Sequence, residues 1–305
     1  MTERTPHIAV LYNPVAGKGR GAERADTAVT TLRAAGSSVR VYAGDSLEST
    51  RALAVQALAA APRVLVVVGG DGTLTAILDA LAGATVPVAL VPSGTGNDFA
   101  RAVGIPRGDA AAAARLALTG TPRQIDVGEV TSGGVTTPFV TIAALGFDAK
   151  VSDRTNRLRW PRGAARYYLA LVIELARLRP TRFRLSVDGD ELGELPGTLV
   201  AVGNTESYGG GMPICQGAEP DDGLLDFVHV APLRRIRLLR LFPQLLKGTH
   251  LGLPQVIHRR ARTIQVSAPD LVVYADGERL GERECTIGIR ARALTVLVPT
   301  EGHHD

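Results

Sequence analysis

The sequence predicts an α/β plus all-β protein with an N-terminal doubly wound α/β domain and a C-terminal antiparallel β-sandwich domain. The first prediction rests on short buried strands that alternate with helices, because that alternation is typical of a parallel sheet covered on both faces. The second rests on later strand-like runs joined by Asp-Gly turns, which favour hairpins. The chain has 305 residues and is 45% apolar, enough for two packed cores. We expect one domain at 1–128 plus 291–305 and the other at 129–290.

Four strands are predicted in the first domain, at His7–Tyr12, Val39–Tyr42, Val64–Val68 and Val86–Val91. The run Val64–Val68 is continuously apolar and mostly β-branched, as expected for a strand buried on both faces. The helices predicted between and after these strands are Ala22–Ala35, one that opens at a capping box of Asp45 and Glu48, one after Thr73, and a short one from Asn97. Each predicted strand therefore leads through a loop into a helix.

The second domain is predicted from period-two patterns and turn residues. Its strands are expected at Phe139–Ala143, Phe183–Val187, Thr198–Gly203, Leu225–Val230, Thr263–Ser267, Leu271–Ala275 and Thr286–Ile289. Two Asp-Gly pairs, at Asp188 and Asp276, predict tight hairpin turns. A last strand at Ala293–Val298 is expected to rejoin the first domain.

Composition excludes several classes of protein. No apolar run approaches the roughly 18 residues that a membrane-spanning helix needs, and the first ten residues do not resemble a secretory signal. The two cysteines, Cys215 and Cys285, lie 70 positions apart, which excludes a disulfide scaffold and suits a reducing cytoplasm. The six histidines are scattered, so a histidine metal site is not expected. We therefore expect a cytoplasmic protein.

Two glycine-rich loops follow neighbouring predicted strands. Gly69-Gly70-Asp71-Gly72-Thr73 comes directly after Val64–Val68, and Ser93-Gly94-Thr95-Gly96-Asn97-Asp98 comes after Val86–Val91. Glycines let backbone N–H groups approach an anion closely, and the helix N-terminus that follows adds a favourable partial charge. A tight strand-to-helix turn is the structural alternative, but it explains three glycines around an acid less well. Both loops therefore predict phosphate binding.

A third loop follows the first strand, with Asn13-Pro14 and then Gly17-Lys18-Gly19. Lys18 is positioned to neutralise a phosphate, although an Asn-Pro turn with one lysine is weak evidence by itself. The spacing is not that of a Walker A loop, because Lys18 precedes a glycine rather than Ser or Thr. The dinucleotide pattern GxGxxG fails at Phe99, and the HRD and DFG elements of protein kinases are absent.

The ordered set of motifs resembles the diacylglycerol kinase catalytic-domain family, which includes bacterial diacylglycerol kinases and sphingosine kinase-like lipid kinases. The resemblance covers about Ile8 to Val298. Besides the three loops, its motifs are Ile125-Asp126-Val127-Gly128, Gly146-Phe147-Asp148, Asn204, Gly209–Met212, Asp221–Asp226 and Asp276-Gly277-Glu278. It implies a Rossmann-like first domain, a NAD kinase/diacylglycerol kinase-like fold, and ATP-dependent phosphorylation of a lipid hydroxyl, foremost that of diacylglycerol.

The resemblance also implies roles for individual residues. Glu278 is the general base. Asp71 is the second catalytic residue, and it belongs to an acidic network with Asp98 and Asp126 that is associated with Mg²⁺ and the phosphates. The nucleotide-binding residues are Asn13, Lys18, Gly69, Gly70, Gly72, Thr73, Ser93, Gly94, Thr95, Asn97, Asp98 and Asp126. A structural Mg²⁺ would be held by Glu219, Asp222 and the Leu224 carbonyl. Other members often have Asp where Glu219 stands, and the longer side chain makes direct coordination less certain.

The net charge of +4 is unevenly distributed. Residues 150–184 carry ten basic and two acidic side chains, and residues 233–262 carry eight basic and no acidic ones. The pattern at 234–247 predicts an amphipathic helix, and basic residues beside aromatics at 154–184 suit an anionic membrane surface. We expect peripheral membrane association through 154–184 and 234–247. A solvated face over an ordinary core stripe is the alternative. No nucleic-acid recognition motif is present, and a homodimer stays open.

Several acceptors stay open at this point. A sphingoid base, ceramide and phosphatidylglycerol are handled on the same fold as diacylglycerol, and fold does not set specificity. NAD kinase shares the sequence at 69–73, but the context of Gly94–Asp98 and the Asp276-Gly277-Glu278 turn argue against it. A non-catalytic nucleotide- or lipid-binding regulator would have no need for a base at Glu278.

Overall fold

The computed structural model describes residues 6–14, 19–81, 83–158, 160 and 164–300. The chain divides into two compact units, Met1–Asp126 with Arg292–Asp305, and Val127–Ala291. Strands β5 (Thr121–Ser132) and β14 (Glu278–Val298) each contribute residues to both units.

The first unit is built on a parallel sheet. Its strands are β1 (Ile8–Tyr12), β2 (Val39–Ala43), β3 (Val64–Gly69), β4 (Val88–Pro92) and the end of β14, in the order β2-β1-β3-β4-β14. Strands β3 and β4 are buried along their whole length, as their continuous apolar sequences predict. Because β1, β3 and β4 are parallel neighbours, their carboxyl ends lie at one edge of the sheet, and all three predicted loops start there.

In the described part of the first unit the strands are connected by helices α1 (Arg20–Ala34), α2 (Leu47–Ala59), α3 (Asp71–Leu81), α4 (Asp98–Ala102) and α5 (Ala110–Thr119). Helix α1 packs against α5, and α2 packs against α3. The capping box predicted from Asp45 and Glu48 is wrong, since α2 is capped by Ser46 and Ser49, each of which binds the other's backbone N–H. A serine at N3 can fill the position normally held by Glu because its hydroxyl also accepts a hydrogen bond.

The second unit is an antiparallel β domain. Besides parts of β5 and β14, its strands are β6 (Val135–Phe139), β7 (Ile142–Gly146), β8 (Thr181–Val187), β9 (Asp190–Gly197), β10 (Leu199–Gly203), β11 (Leu225–Val230), β12 (Val256–Ala261) and β13 (Thr263–Ala275). One path of paired strands runs β12-β11-β10-β7-β13-β14. Strand β13 pairs with β8 near its start and with β7 near its end, and its pairing register with β14 shifts in between.

Some predicted strands differ from the observed ones. The runs Thr263–Ser267 and Leu271–Ala275 form the single strand β13, because the chain passes the irregularity at 268–271 without turning. The predicted strand Phe139–Ala143 is instead interrupted between β6 and β7. Its central N–H groups, those of Val140 and Thr141, donate to the carboxylate of Asp276 and are unavailable for a strand ladder.

Three helices cover part of this unit, α6 (Phe147–Arg157), α7 (Ala164–Ala176) and α8 (Arg235–Leu246). The amphipathic pattern at 234–247 therefore does form a helix. Leu238, Leu241 and Leu245 of α8 pack on a buried apolar cluster, whereas Ile236 and Leu239 are 65% and 58% exposed. Within the described residues, no helix is both long and apolar enough to cross a membrane.

Candidate active site

The two glycine-rich loops of the first unit touch each other. A Cβ added to Gly94 would lie 2.8 Å from the Cα of Gly70, so neither position has room for a side chain without separating the loops. Ser93 N–H donates to the Gly69 carbonyl at 2.8 Å. At Gly69 an added Cβ would collide with the buried side chain of Thr73. Gly70 and Gly94 are therefore required by the close approach of the two loops, and Gly69 by the side chain of Thr73.

Asp71 holds the second loop against the first. Its carboxylate accepts the backbone N–H groups of Asp98 at 3.0 Å and Phe99 at 3.1 Å. These two donors belong to the first turn of α4, where helix N–H groups lack partners within the helix. Asn97 precedes them with φ of 51° and donates its side-chain amide to the Gly94 carbonyl at 2.9 Å. Asp71 thus acts here as a cap for a neighbouring helix.

The remaining predicted nucleotide-binding residues are distributed around these loops. Asn13 is buried directly after β1, beside the end of β3, and Thr95 is exposed at the tip of its loop. Lys18 lies outside the described residues. Asp126 is fully buried, and its carboxylate accepts the Arg292 N–H at 2.6 Å, which joins β5 to β14 within the first unit.

Two arginines that sequence reasoning missed reach the same edge of the sheet. Arg20 and Arg24, in the first turns of α1, donate to the carbonyls of Gly94 and Pro92 respectively. Arg24 also donates to the Arg107 carbonyl at 3.0 Å. A signal was present, since both arginines follow the Gly17-Lys18-Gly19 loop at a spacing of four, which places them on one face of a helix.

In the second unit, the Asp276-Gly277-Glu278 turn places a free carboxylate at a hairpin tip. Asp276 and Gly277 have φ of 50° and 87°, and they form the two-residue loop between β13 and β14 that Asp-Gly pairs favour. Glu278 is exposed as the first residue of β14, and no described residue forms a hydrogen bond with its carboxylate. Asp276 instead accepts the N–H groups of Val140 at 2.8 Å and Thr141 at 3.0 Å, together with the Thr141 hydroxyl.

Comparison with known proteins gives two family matches. Residues 7–130 match the diacylglycerol kinase catalytic domain, and residues 141–298 match the YegS C-terminal NAD kinase beta sandwich-like domain. A diacylglycerol kinase of Mycobacterium tuberculosis is 41% identical over 296 residues, which cover 97% of this chain and 96% of the relative. The chain belongs to the diacylglycerol kinase family of lipid kinases. A probable lipid kinase YegS-like of Pseudomonas aeruginosa is 35% identical, covering 93% of this chain and 92% of that protein.

Solved structures agree on the fold of this diacylglycerol kinase family member. A diacylglycerol kinase from Bacillus anthracis gives a TM-score of 0.71 at 22% identity, covering 96% of both chains. An NAD kinase from Archaeoglobus fulgidus in complex with ATP gives 0.51 at 17% identity, covering 95% of this chain and 93% of the other. The predicted NAD kinase/diacylglycerol kinase-like fold is therefore confirmed.

The glycine loops fit the triphosphate of ATP, the nucleotide that kinases of this family use. The Ser93 hydroxyl and the Asn97 side-chain oxygen are buried, and neither has a hydrogen-bond partner among the described residues. The Thr73 and Leu74 N–H groups of the first turn of α3 donate to the Gly70 carbonyl, and the position where Gly72 lacks a Cβ faces open space. A helix N-terminus of this kind is suited to phosphate through its earlier N–H groups.

The residues predicted for a structural Mg²⁺ do not fit a divalent cation in the described structure. Asp222 forms an ion pair with Arg260 of β12, and its other oxygen accepts the Leu224 N–H at 2.8 Å. Glu219 is exposed and contributes to raising the pKa of Asp226, for which burial is the main cause. No group of three or more His, Cys, Asp or Glu side chains in the described residues could hold a metal. We derive no step from a metal at this turn.

A further acid of the family motifs is partly neutralised by its surroundings. Burial raises the pKa of Asp148 from 3.8 to about 6, although the hydrogen bond from the Tyr208 hydroxyl opposes the shift. Tyr208 itself has its pKa raised, first by burial and then by the nearby Asp148 carboxylate. This pair lies on the side of the second unit that α6 and α7 cover, where the Tyr208 hydroxyl donates to the Asp148 carboxylate in an apolar setting.

The close approach of Gly70 and Gly94 gives a direct test of the nucleotide loops. We expect Gly94→Ala to lower ATP affinity by about tenfold, ~1.4 kcal/mol, because the methyl group would force the loops apart. Gly108→Ala is the matched control, since nothing lies within 4 Å of its added Cβ. Titration with a fluorescent ATP analogue measures both. Equal affinities for the two variants would contradict binding by these loops.

Proposed function

We propose that this protein is an ATP-dependent lipid kinase whose principal acceptor is diacylglycerol, which it converts to phosphatidic acid. The observation that carries the proposal is the pair of touching glycine loops at the N-terminus of α3, in a chain of this family whose Glu278 carboxylate has no partner among the described residues. The acceptor is supported by the Mycobacterium tuberculosis relative, which is named a diacylglycerol kinase and matches over nearly the whole chain.

In this proposal the first unit binds the nucleotide through backbone groups. The N–H groups at the start of α3, together with the buried Ser93 hydroxyl, donate to phosphate oxygens and fix the γ-phosphate. Arg20 and Arg24 keep the second loop in place through its carbonyls. Mg²⁺ is proposed to arrive bound to ATP, where it neutralises phosphate charge. The acids Asp71, Asp98 and Asp126 shape the loops around the nucleotide.

Glu278 is proposed as the general base. Its carboxylate takes the proton of the primary hydroxyl of the lipid while that oxygen attacks the γ-phosphorus. A new bond forms between the lipid oxygen and the γ-phosphorus, and the bond from this phosphorus to the β,γ-bridging oxygen breaks, which releases ADP. A carboxylate that binds no protein donor is free to accept this proton, and Glu278 meets that condition within the described residues.

The acceptor is tested with radiolabelled ATP and separate vesicles that contain diacylglycerol, a sphingoid base, ceramide or phosphatidylglycerol, with soluble NAD as a further arm. We expect label in phosphatidic acid at a rate well above that of the other products, read by thin-layer chromatography. A dominant product from another arm would reassign the acceptor while keeping the kinase. ATP consumption in none of the arms would overturn the lipid kinase proposal.

The base is tested by replacing Glu278. We expect Glu278→Ala to lower kcat for diacylglycerol by about 100- to 10,000-fold, the range typical of a lost general base, without changing the thermal unfolding midpoint. Glu282→Ala serves as the control, because Glu282 is also an exposed glutamate of β14 and pairs only with nearby Arg279. Near-normal turnover of Glu278→Ala would show that another group takes the proton.

We also propose that the enzyme reaches its lipid by peripheral binding to anionic membranes through α7 and α8. Exposed apolar side chains of the two helices, among them Tyr168, Val172, Ile236 and Leu239, lie within the strongly basic segments. On α8 the exposed cations Arg235, Arg237 and Arg240 flank this apolar stripe. Apolar area gives insertion into the interface, and each cation adds attraction to anionic lipid.

A cavity next to these helices extends the basic surface. It measures about 350 Å³ and is lined by Lys150, Arg177 and Arg179 among others. The two acids of its lining are Glu174, which is paired with Arg154, and Asp270. A second, largely apolar cavity of about 1060 Å³ shares Leu178 and Pro180 with the first and runs along α8. Charge and apolar area therefore alternate over this surface, as suits a lipid interface.

Trp160 provides an internal probe of this binding, since it is the sole tryptophan of the chain and is 77% exposed. We expect its fluorescence to shift to the blue with phosphatidylglycerol-containing vesicles and not with pure phosphatidylcholine, and the shift to weaken with salt. Arg237→Gln with Arg240→Gln should weaken vesicle co-sedimentation. Arg33→Gln with Arg40→Gln removes the same charge from exposed positions of the first unit and should leave it unchanged. Equal loss in both double variants would contradict a localised surface.

A further inference from the structure

The Asp276 side chain holds the turn that carries Glu278. It accepts two consecutive backbone N–H groups, those of Val140 and Thr141, and the Thr141 hydroxyl. All three donors lie in the short link between β6 and β7. The carboxylate is therefore directed away from the hairpin tip and into the domain, while Glu278, two residues later, remains exposed. Asp276 and Glu278 belong to one short motif but face different environments.

The link between β6 and β7 also forms hydrogen bonds with the segment that follows β10. Asn204, which is fully buried after β10, donates its side-chain amide to the Val140 carbonyl at 3.1 Å. Its backbone N–H donates to the Thr141 carbonyl at 2.8 Å, and the Thr205 N–H reaches the same oxygen at 3.3 Å. The N–H and C=O groups of both residues of the link, Val140 and Thr141, are thus hydrogen-bonded. A link fixed in this way is a rigid support for the Asp276 turn.

The chain contains a second turn that matches the first closely. Asp188 and Gly189 form the two-residue loop between β8 and β9, with φ of 49° and 87°. Asp188 also accepts two consecutive N–H groups, those of Arg262 at 2.9 Å and Thr263 at 2.8 Å. The two turns therefore have the same dipeptide and nearly the same φ values. Asp188 accepts both N–H groups on one carboxylate oxygen, whereas Asp276 uses both oxygens and also accepts the Thr141 hydroxyl. The turns also differ in the residue that follows, Asp190 at one turn and Glu278 at the other.

We propose that Asp276 is a positioning residue that fixes the carboxylate of Glu278 for proton abstraction, through the link of Val140 and Thr141 that Asn204 braces. This inference rests on the proposed role of Glu278. An amide in place of the Asp276 carboxylate can accept one of the two N–H groups but presents its own NH₂ to the other, so the turn must shift. A shift of about 1 Å at a catalytic group costs up to about 100-fold in rate.

The test is a double-mutant cycle read by single-turnover kinetics with radiolabelled ATP. We expect Asp276→Asn to lower kcat about 10- to 100-fold with an unchanged KM for ATP. In the Glu278→Ala background the same substitution should have no further effect on the residual rate, because the group it positions is gone. Equal losses in both backgrounds would overturn the proposal, since Asp276 would then act independently of Glu278.

Asp188→Ala, compared with Asp276→Ala, is the matched control for general damage to the fold. Each substitution removes a carboxylate that accepts two consecutive backbone N–H groups, so both should lower the unfolding midpoint, whereas only Asp276→Ala should lower kcat. If Asp188→Ala lowers kcat as much as Asp276→Ala does, the effect is structural and the positioning role fails. If Glu278 is not the base, the Glu278→Ala variant by itself retains near-normal turnover. This result is distinct from a failure of the positioning role of Asp276.

If Asp276→Asn folds poorly, two conservative substitutions of Thr141 test the same proposal. Thr141→Val is nearly isosteric and removes only the hydroxyl donor to Asp276, whereas Thr141→Ser retains it. We expect a several-fold loss of kcat in the valine variant and near-normal kcat in the serine variant, with the same KM for ATP in both. Equal kcat values in the two variants would count against the proposal.

Discussion

The carboxylate of Asp71 accepts the hydrogen bonds on which the two glycine loops, the proposed nucleotide-binding site of this kinase, depend. It stands in the first turn of α3, where a negative charge is favoured by the helix dipole, and it accepts the unpaired N–H groups of Asp98 and Phe99 in the first turn of α4. One side chain therefore serves two helix N-termini that follow neighbouring strands. Because α4 is capped from outside, Asn97 can adopt a left-handed conformation and bind the Gly94 carbonyl instead.

The hydrogen bonds between Asp71 and α4 explain why so many glycines occur at one edge of the sheet. Two loops held by a shared carboxylate must approach within van der Waals distance, and a Cβ at Gly70 or Gly94 would lie 3.0 or 2.8 Å from the facing backbone. The same packing leaves the Ser93 hydroxyl buried without a hydrogen-bond partner among the described residues. The binding surface is thus made chiefly of backbone and small groups. Such a surface suits phosphate oxygens, which need several short hydrogen bonds from fixed donors.

The parts that the sequence predicted well are those fixed by local pattern. Continuous apolar runs located β3 and β4, and the loops after them followed from glycine spacing. The errors arose where long-range contacts decide local structure. Nothing near Phe139–Ala143 shows that Asp276, more than 130 residues later, takes the N–H groups of Val140 and Thr141 and ends the strand. The Asp222 carboxylate likewise fitted a metal by motif, but it pairs with Arg260 of another strand. The spacing of Arg20 and Arg24 places them on one face of a helix, but their acceptors are backbone carbonyls, which no pattern of side chains identifies.

The two Asp-Gly turns share a sequence motif, but only one of them carries the proposed base. Asp188 and Asp276 each accept two consecutive backbone N–H groups. They differ in the segments to which these N–H donors belong. Asp188 binds the start of β13, which is held by its own ladder with β14. Asp276 binds a link that leaves the ladder and that buried Asn204 secures from the other side. Rigidity is thus concentrated beneath the turn that carries Glu278. An exposed base on a hairpin tip would otherwise be one of the more mobile groups of the domain, and phosphoryl transfer depends on positioning more than on covalent chemistry.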